Sequence, residues 1–234
     1  PQGALNSLNP VMRVRDQIID GLKAHGVRKS KEEFVEFIAD LLNRVGLASD
    51  VAEMYPHELS GGMKQRVTIA LSISMNPSVI IADEPTSALD VVVQRQIVQT
   101  LLEAQKQIGA ATILIGHDMG LMAQFATRMG IMYAGRLVEI GPTREIFNNP
   151  KHPYTQLLIS SLPNTQGKRR LSGIPGITPS LLNPPPGCVF HTRCPQATER
   201  CKVEIPNLIT EENGHSQACH LYTEPAKSEE EVTA

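Results

Sequence analysis

The sequence predicts an α/β fold in which a helical N-terminal part precedes an α/β part and an irregular C-terminal extension. Apolar residues recur at helical spacing through much of residues 5–58, as in amphipathic helices. Two short apolar runs, at 79–82 and 112–115, flank a helical pattern over 91–108. Such alternation of helices with buried strands is typical of a parallel sheet. After about Asn149 prolines interrupt the chain repeatedly, which favours irregular structure there.

The helical part contains one strong and one weaker helix pattern. Ser30 and Glu33 have the S-x-x-E spacing of a capping box. Apolar residues then recur at helical spacing over 34–45, and Gly46 is a natural stop. The weaker pattern covers residues 16–22. We therefore expect a helix over each stretch.

Two predicted strands end in residues that can do chemistry. The run at 79–82 leads directly into Asp83 and Glu84, and the run at 112–115 ends near His117. Because parallel strands end at the same edge of a sheet, these side chains should lie together. We expect this sheet to be covered on both faces.

Two more elements are predicted further along the chain. Residues 130–133 and 136–140 flank Ala134-Gly135 and have the pattern of a hairpin. A helix is expected over 154–162, where the proline-rich extension begins.

Composition excludes several classes of function. The formal net charge is −2, from 22 basic and 24 acidic residues, so no overall positive field favours nucleic acid as a partner. No apolar run approaches the roughly 20 residues that span a bilayer, and no basic-then-apolar signal peptide opens the chain. We therefore expect a cytoplasmic protein whose membrane role, if it has one, comes through a partner.

A Ser-Gly-Gly sequence precedes the predicted helix that follows residue 62. Leu59-Ser60-Gly61-Gly62-Met63 leads into Lys64-Gln65-Arg66 and an apolar pattern. A helix N-terminus with glycines offers free N–H groups to a phosphate and lets the backbone approach it closely. Taken alone, the same sequence also fits an ordinary helix cap.

The two strand tips carry residues suited to phosphate chemistry. Asp83 can hold Mg²⁺, since a hard cation takes oxygen ligands, and Glu84 can orient and deprotonate an attacking water. His117 can donate a hydrogen bond to a terminal phosphate. An acidic turn and a loop histidine are the alternatives when each motif is taken alone.

The motifs together resemble the ABC ATPase family. LSGGM at 59–63, IIADEP at 80–85, Ser87-Ala88-Leu89-Asp90 and the strand tip at His117 occur in one order and at suitable spacings. The resemblance implies a P-loop NTPase fold with a helical subdomain. It also implies domains at 1–76 (helical subdomain with the signature motif), 77–148 (catalytic α/β part) and 149–234 (extension).

The resemblance assigns roles to residues that match the family's motifs. It implies catalytic roles for Glu84, His117 and Gln2, the last as the glutamine of the Q-loop. It implies that Asp83 and Gln2 serve Mg²⁺. Residues implied to contact ATP are Ser60, Gly61, Gly62, Gln65, Asp83 and Asp90.

One part of the family pattern is absent from the sequence. The phosphate-wrapping motif Gly-x-x-x-x-Gly-Lys-Ser/Thr should precede Gln2 but occurs nowhere in the chain. In the family, two subunits face each other head to tail, and the signature motif of one contacts the ATP held by the other. The expectation is a chain truncated before the Q-loop, with little ATPase activity alone.

Further stretches resemble the ATPases of oligopeptide and dipeptide importers. These stretches are Asn6–Pro10, Lys151–Thr155, Ile174–Gly176, Pro184–Gly187 and the C-x5-C-x6-C-x17-C spacing. The resemblance implies a peripheral subunit at the cytoplasmic face of the membrane, with a second ATPase subunit, two permease subunits and, indirectly, an extracytoplasmic binding protein. Peptides are the expected cargo; nickel, another small solute, or a role as an inactive interaction module are the alternatives.

All four cysteines, Cys188, Cys194, Cys201 and Cys219, lie in the last fifth of the chain. Clustering of this kind in an otherwise cysteine-free cytosolic chain favours a metal site over disulfides. Four thiolates suit either Zn²⁺ or an iron–sulfur cluster, and the importer resemblance implies [4Fe–4S]. The nearby histidines are expected at the surface, namely His191, His215 and His220.

Overall fold

The structure is a computed structural model that describes residues 7–87, 89–162 and 173–222. The chain divides into two compact units, Pro1–Phe125 and Ala126–Ala234. Gln2, predicted as the Q-loop glutamine, lies outside the described residues.

Three helices form the first part of the N-terminal unit. They are α1 (Val14–Ala24), α2 (Lys31–Arg44) and α3 (Gly61–Ile73). Two short 3₁₀ helices, Ser49–Glu53 and Pro56–Glu58, connect α2 to α3. Both predicted helix patterns therefore correspond to helices.

Helix α2 begins where the capping box predicts. Ser30 Oγ accepts a hydrogen bond from the Glu33 N–H, and the Glu33 carboxylate accepts one from the Ser30 N–H. These two bonds satisfy donors that a helix N-terminus otherwise leaves free. At the C-terminal end of α2, the Val45 carbonyl accepts a hydrogen bond from the Arg66 guanidinium of α3 at 2.9 Å. This bond joins α2 to α3.

The parallel sheet consists of β1 (Val79–Asp83) and β2 (Ala111–Ile115). Helix α4 (Val91–Ile108) connects them, and the short helix α5 (Met119–Phe125) follows β2. The α4 bounds match the prediction because Asp90 caps its start and Gly109, at φ 69°, ends it. Only glycine adopts that left-handed conformation without steric cost.

One face of this sheet differs from the prediction. Ile80 and Ala82 are buried, as expected for a strand packed on one side. On the opposite face, Ile81 is 63% exposed and Ile113 is 53% exposed. Because alternate residues of a strand point to opposite faces, the described residues cover one face of the sheet and leave the other open. The expectation of cover on both faces was therefore wrong for the described part of the chain.

The C-terminal unit is built on an antiparallel sheet of four strands among the described residues. The predicted hairpin forms β3 (Arg128–Tyr133) and β4 (Arg136–Pro142). The extension then adds two short strands of its own, which the sequence did not predict. The other α-helices and strands described in this unit are α6 (Thr143–Asn148), α7 (Pro153–Ser160), α8 (Glu199–Val203), β5 (Ile209–Thr210) and β6 (Ser216–Gln217). The strand order in the sheet is β3-β4-β6-β5.

A buried carboxylate fixes the extension to the hairpin. Glu139 of β4 is fully buried, and its oxygens accept hydrogen bonds from the backbone N–H groups of Lys151 at 2.7 Å and His152 at 3.0 Å. His215 Nε2 lies 2.7 Å from the same carboxylate. His215 is itself fully buried, so its expected surface position was wrong. We call Glu139, His152 and His215 the tail lock.

Candidate functional site

The strand tips are brought together as the sequence predicts. In the parallel register, Asp83 of β1 is paired with Ile115 of β2. The Glu84 N–H continues this pairing by donating to the Ile115 carbonyl at 2.9 Å. Glu84 has φ 44°, a conformation that costs a non-glycine residue energy and is often found at functional sites. The chain thus turns sharply at the carboxylate with the predicted catalytic role.

Glu84 and His117 form a side-chain pair. His117 Nδ1 lies 3.1 Å from Glu84 Oε1, and the two side chains are 83% and 27% exposed. A carboxylate only accepts hydrogen bonds, so this pairing places a proton on Nδ1. Nε2 then needs a second proton before it can donate to a phosphate. Donation to Glu84 and to a phosphate at the same time therefore requires the charged imidazolium ring.

LSGGM at 59–63, which the resemblance implies is the signature motif, leads into the first turn of α3. Ser60 is the N-cap, and its Oγ accepts from the Met63 N–H at 3.3 Å. A Cβ placed on Gly62 would lie 3.1 Å from Val93 Cγ1 in the first turn of α4. A glycine at this position therefore lets the signature motif pack closely against the helix that follows the Glu84 turn.

Two residues that the resemblance assigns to ATP contact also serve the fold. Gln65 is buried in α3, with 6% of its surface exposed, so in this chain its side chain faces the protein interior. The Asp90 carboxylate caps α4 by accepting from the N–H groups of Val92 and Val93 at 3.1 and 3.0 Å. Ser60 and the two glycines that follow it, by contrast, are at least partly exposed.

Asp83 is the candidate Mg²⁺ ligand among the described residues. It stands partly exposed at the end of β1. Within residues 7–87, 89–162 and 173–222, no three His, Cys, Asp or Glu side chains are grouped so that they could hold a metal ion. One carboxylate is compatible with Mg²⁺, which usually combines one or two carboxylates with phosphate oxygens and waters.

The four cysteines lie near one another in the C-terminal unit. The Cys188 N–H donates to the Cys201 carbonyl at 2.9 Å. Burial raises the pKa of the Cys188 and Cys194 thiols, and it raises the pKa of Cys219 to about 11, with neighbouring thiols adding to each shift. The thiols are free, and as arranged they do not form a metal site.

Sequence reasoning missed Gln94 and the tail lock. Gln94 was one polar residue within a helix pattern, yet its side chain contacts the turn that carries Glu84. Glu139 was a lone acid within the apolar strand Leu137-Val138-Glu139-Ile140. A charge in an otherwise apolar strand is the signal that could have indicated a paired, buried carboxylate.

Comparison with known proteins places the chain in a family. Residues 1–87 match the family described as ABC transporter, and residues 138–201 match the family described as oligopeptide/dipeptide transporter, C-terminal region. The chain is 45% identical over 223 residues to the dipeptide transport ATP-binding protein DppD of Escherichia coli. This match covers 94% of this chain and 68% of that protein. The chain belongs to the ABC ATPase family.

Other relatives agree with this assignment. DppD of Caldanaerobacter subterraneus is 46% identical over 226 residues, with 96% of this chain and 69% of that protein covered. The oligopeptide transport ATP-binding protein AppF of Bacillus subtilis is 42% identical, with 95% and 68% covered. The resemblance drawn from the signature motif and strand tips is therefore confirmed.

A solved structure supports the α/β fold of the family. CbiO1 of Clostridium perfringens, described as part of the ABC transporter complex cbiONQ, is 29% identical to this chain with a TM-score of 0.55. The match covers 62% of this chain and 57% of that one. No helix in the described part of the chain has both the length and the apolar character needed to cross a membrane.

Proposed function

We propose that this chain is the ATP-hydrolysing subunit that powers import of peptides through a membrane transporter. The observation that carries the proposal is the pairing of Glu84 with His117 at the strand tips. Peptide as the cargo is supported by the names of the relatives, which are dipeptide and oligopeptide transport proteins. The match of residues 138–201 to the C-terminal region of such transporters supports the same cargo.

The proposed chemistry divides the work among the strand-tip residues. Glu84 orients the attacking water and takes its proton. His117 donates to the terminal phosphate from Nε2. Asp83 would hold Mg²⁺, which neutralises charge that develops on the phosphates. Gln2 would serve the same ion, and Asp90 and Gln65 would support the nucleotide contacts from within their helices.

The proposed assembly contains a second ATPase subunit and two permease subunits. Ser60, Gly61 and Gly62 would contact the ATP held by the second subunit, because the N-terminus of α3 offers N–H groups to a phosphate. The subunit would be peripheral, at the cytoplasmic face of the membrane, and a binding protein would deliver peptides from the other side.

We propose residues 1–76 as the helical subdomain, 77–148 as the catalytic part and 149–234 as the extension.

ATP hydrolysis by the assembled transporter tests the enzymatic part. We expect Glu84→Gln to lower the rate by about 100-fold or more, the usual range for loss of a general base. Glu103→Gln is the matched control, since Glu103 is an exposed carboxylate on α4. Equal rates in the wild type and in Glu84→Gln would contradict the proposal.

Uptake into proteoliposomes tests the cargo. Transporter reconstituted with its binding protein should accumulate a labelled dipeptide or oligopeptide in an ATP-dependent way that Glu84→Gln abolishes. Uptake of Ni²⁺ in place of peptides would exclude peptide as the substrate while preserving the ATPase assignment. Lack of both ATP hydrolysis and uptake would favour an interaction module.

We also propose that the four cysteines hold a [4Fe–4S] cluster, with Zn²⁺ as the alternative. The proximity of the thiols, which raise one another's pKa, supports the proposal. Because burial raises the pKa of the Cys188, Cys194 and Cys219 thiols, binding must release protons and should strengthen with rising pH. Iron and sulfide in anaerobic preparations, lost in Cys194→Ser, would support the cluster, whereas stoichiometric zinc would count against it.

A further inference from the structure

The turn between β1 and α4 carries Glu84 and is held by a series of backbone hydrogen bonds. The Ser87 N–H donates to the Glu84 carbonyl at 3.1 Å, and the Leu89 N–H donates to the Thr86 carbonyl at 3.3 Å. Glu84 itself has φ 44°, so the turn begins with a conformation that a non-glycine residue keeps only when its surroundings enforce it. The direction of the Glu84 carboxylate therefore depends on how firmly the turn is held.

One side chain from α4 reaches back to this turn. Gln94 Nε2 donates to the Thr86 carbonyl at 3.2 Å and to the Leu89 carbonyl at 3.0 Å. Gln94 lies in the first turn of α4, and its own N–H donates to the Asp90 carbonyl at 2.9 Å. Both hydrogens of a single amide group thus bind two carbonyls of the same turn, while the helix fixes the backbone of the donor.

These contacts require the chemistry of glutamine. A primary amide has two donors on one planar nitrogen, which matches two carbonyls that lie on either side of it. A carboxylate of the same shape has no donor and would repel both carbonyls. Leucine keeps a similar volume but makes neither bond, so the two replacements separate the loss of donors from the loss of packing.

We propose that Gln94 is a positioning residue for ATP hydrolysis, which rests on the proposed function. It holds the Thr86 and Leu89 carbonyls so that the turn keeps Glu84 directed toward His117. Without the clamp, the turn should sample other conformations and Glu84 should spend less time in the arrangement that activates water.

Amide hydrogen exchange tests the clamp without any need for activity. In Gln94→Leu, exchange at the Ser87 and Leu89 amides should accelerate by about tenfold, the effect of losing about one net hydrogen bond locally. Gln99→Leu is the matched control, since the exposed Gln99 of α4 donates only outward, to Glu103 Oε1 at 3.0 Å. It should leave exchange at both amides unchanged. Unchanged exchange in Gln94→Leu, or equal acceleration in the control, would overturn the clamp.

Steady-state kinetics of the assembled transporter test its role in the reaction. Gln94→Leu should lower kcat by about tenfold and change the KM for ATP by less than about twofold, because the clamp acts on the hydrolytic group and not on ATP binding. Gln94→Glu should lower kcat at least as much, because a carboxylate has no donor for the Thr86 and Leu89 carbonyls. A change in KM alone, or an unchanged kcat in Gln94→Leu, would overturn the positioning role. A wild-type transporter without ATPase activity would refute the proposed function, and hydrogen exchange would still decide the clamp.

Discussion

The strand tips and the tail lock use charged residues in opposite ways. At the strand tips, the His117 side chain is 83% exposed and Glu84 is 27% exposed. In the tail lock, Glu139 and His215 are completely buried, and the Glu139 carboxylate binds two backbone N–H groups as well as the imidazole. The first arrangement leaves groups accessible to a substrate, whereas the second removes them from solvent altogether.

The difference indicates which charges contribute to folding. A buried carboxylate is tolerable when donors surround it, as three groups surround Glu139, because an unpaired buried charge costs several kcal/mol. An exposed pair contributes about 0–1 kcal/mol. Changes in the tail lock should therefore reduce stability, and changes at the strand tips should reduce activity with little effect on stability.

The largest effect is expected from Glu139→Gln. The new amide group would turn donor hydrogens toward the N–H of Lys151 or His152, or toward His215, and would leave at least one of them unpaired. We expect the free energy of unfolding to fall by about 2–4 kcal/mol. Urea unfolding followed by circular dichroism measures this change.

Two control variants test whether the loss of stability is specific to the tail lock. Glu212→Gln removes an exposed carboxylate from the same unit and should change stability by less than about 0.5 kcal/mol. Glu84→Gln should be equally mild. A loss in Glu84→Gln as large as in Glu139→Gln would show that the strand tips are structural as well, and the distinction between the two regions would fail.

The sequence predicts the strand tips better than it predicts the tail lock. Helix α4 and the strands β1 and β2 follow from local patterns, because Asp90 and Gly109 mark the helix ends and uninterrupted apolar runs mark the strands. The meeting of Glu84 with His117 follows from the rule that parallel strands end at one edge. Sequence alone could have indicated that Glu139 is buried and paired, but it could not identify His215 as the partner, because the two residues are 76 positions apart.

The second prediction concerns the pH dependence of the tail lock. Burial lowers the pKa of His152 from its ordinary value of 6.5 to about 4, against the opposing effect of Glu139. His152 Nδ1 accepts from the Tyr154 N–H at 3.1 Å, so protonation would also remove that bond. The unfolded chain thus binds a proton more readily than the folded one. Stability is retained above about pH 6.5 and should fall by about 3 kcal/mol as pH drops to 4.

The variant His152→Asn isolates this contribution. Asparagine keeps an acceptor at the N-cap of α7 but does not titrate, so its stability should fall less steeply between pH 6.5 and pH 4 than that of the wild type. At pH 7 the smaller side chain should cost about 1–2 kcal/mol through the cavity it leaves. Parallel stability curves for the two proteins over this pH range would rule out His152 as the titrating group.

A smaller effect is expected at Asp90, which caps α4. Asp90→Ala removes the acceptor for the N–H groups of Val92 and Val93 and should lower stability by about 1 kcal/mol. Asp90→Asn keeps an acceptor oxygen and should lose less than half of that. If both variants lose the same amount, the negative charge rather than the cap is what stabilises the helix.

The smallest change in stability is expected from His117→Ala. The ring is mostly exposed, and its described contact is the one with Glu84, so removing it should alter the free energy of unfolding by less than about 0.5 kcal/mol. ATP hydrolysis by the assembled transporter should nevertheless fall by about tenfold or more, because in the proposed mechanism His117 donates to the terminal phosphate. Thermal unfolding and turnover measured on one preparation compare the two effects directly. If His117→Ala lost stability but kept its turnover, the exposed pair would be structural rather than catalytic, and the contrast with the buried tail lock would fail.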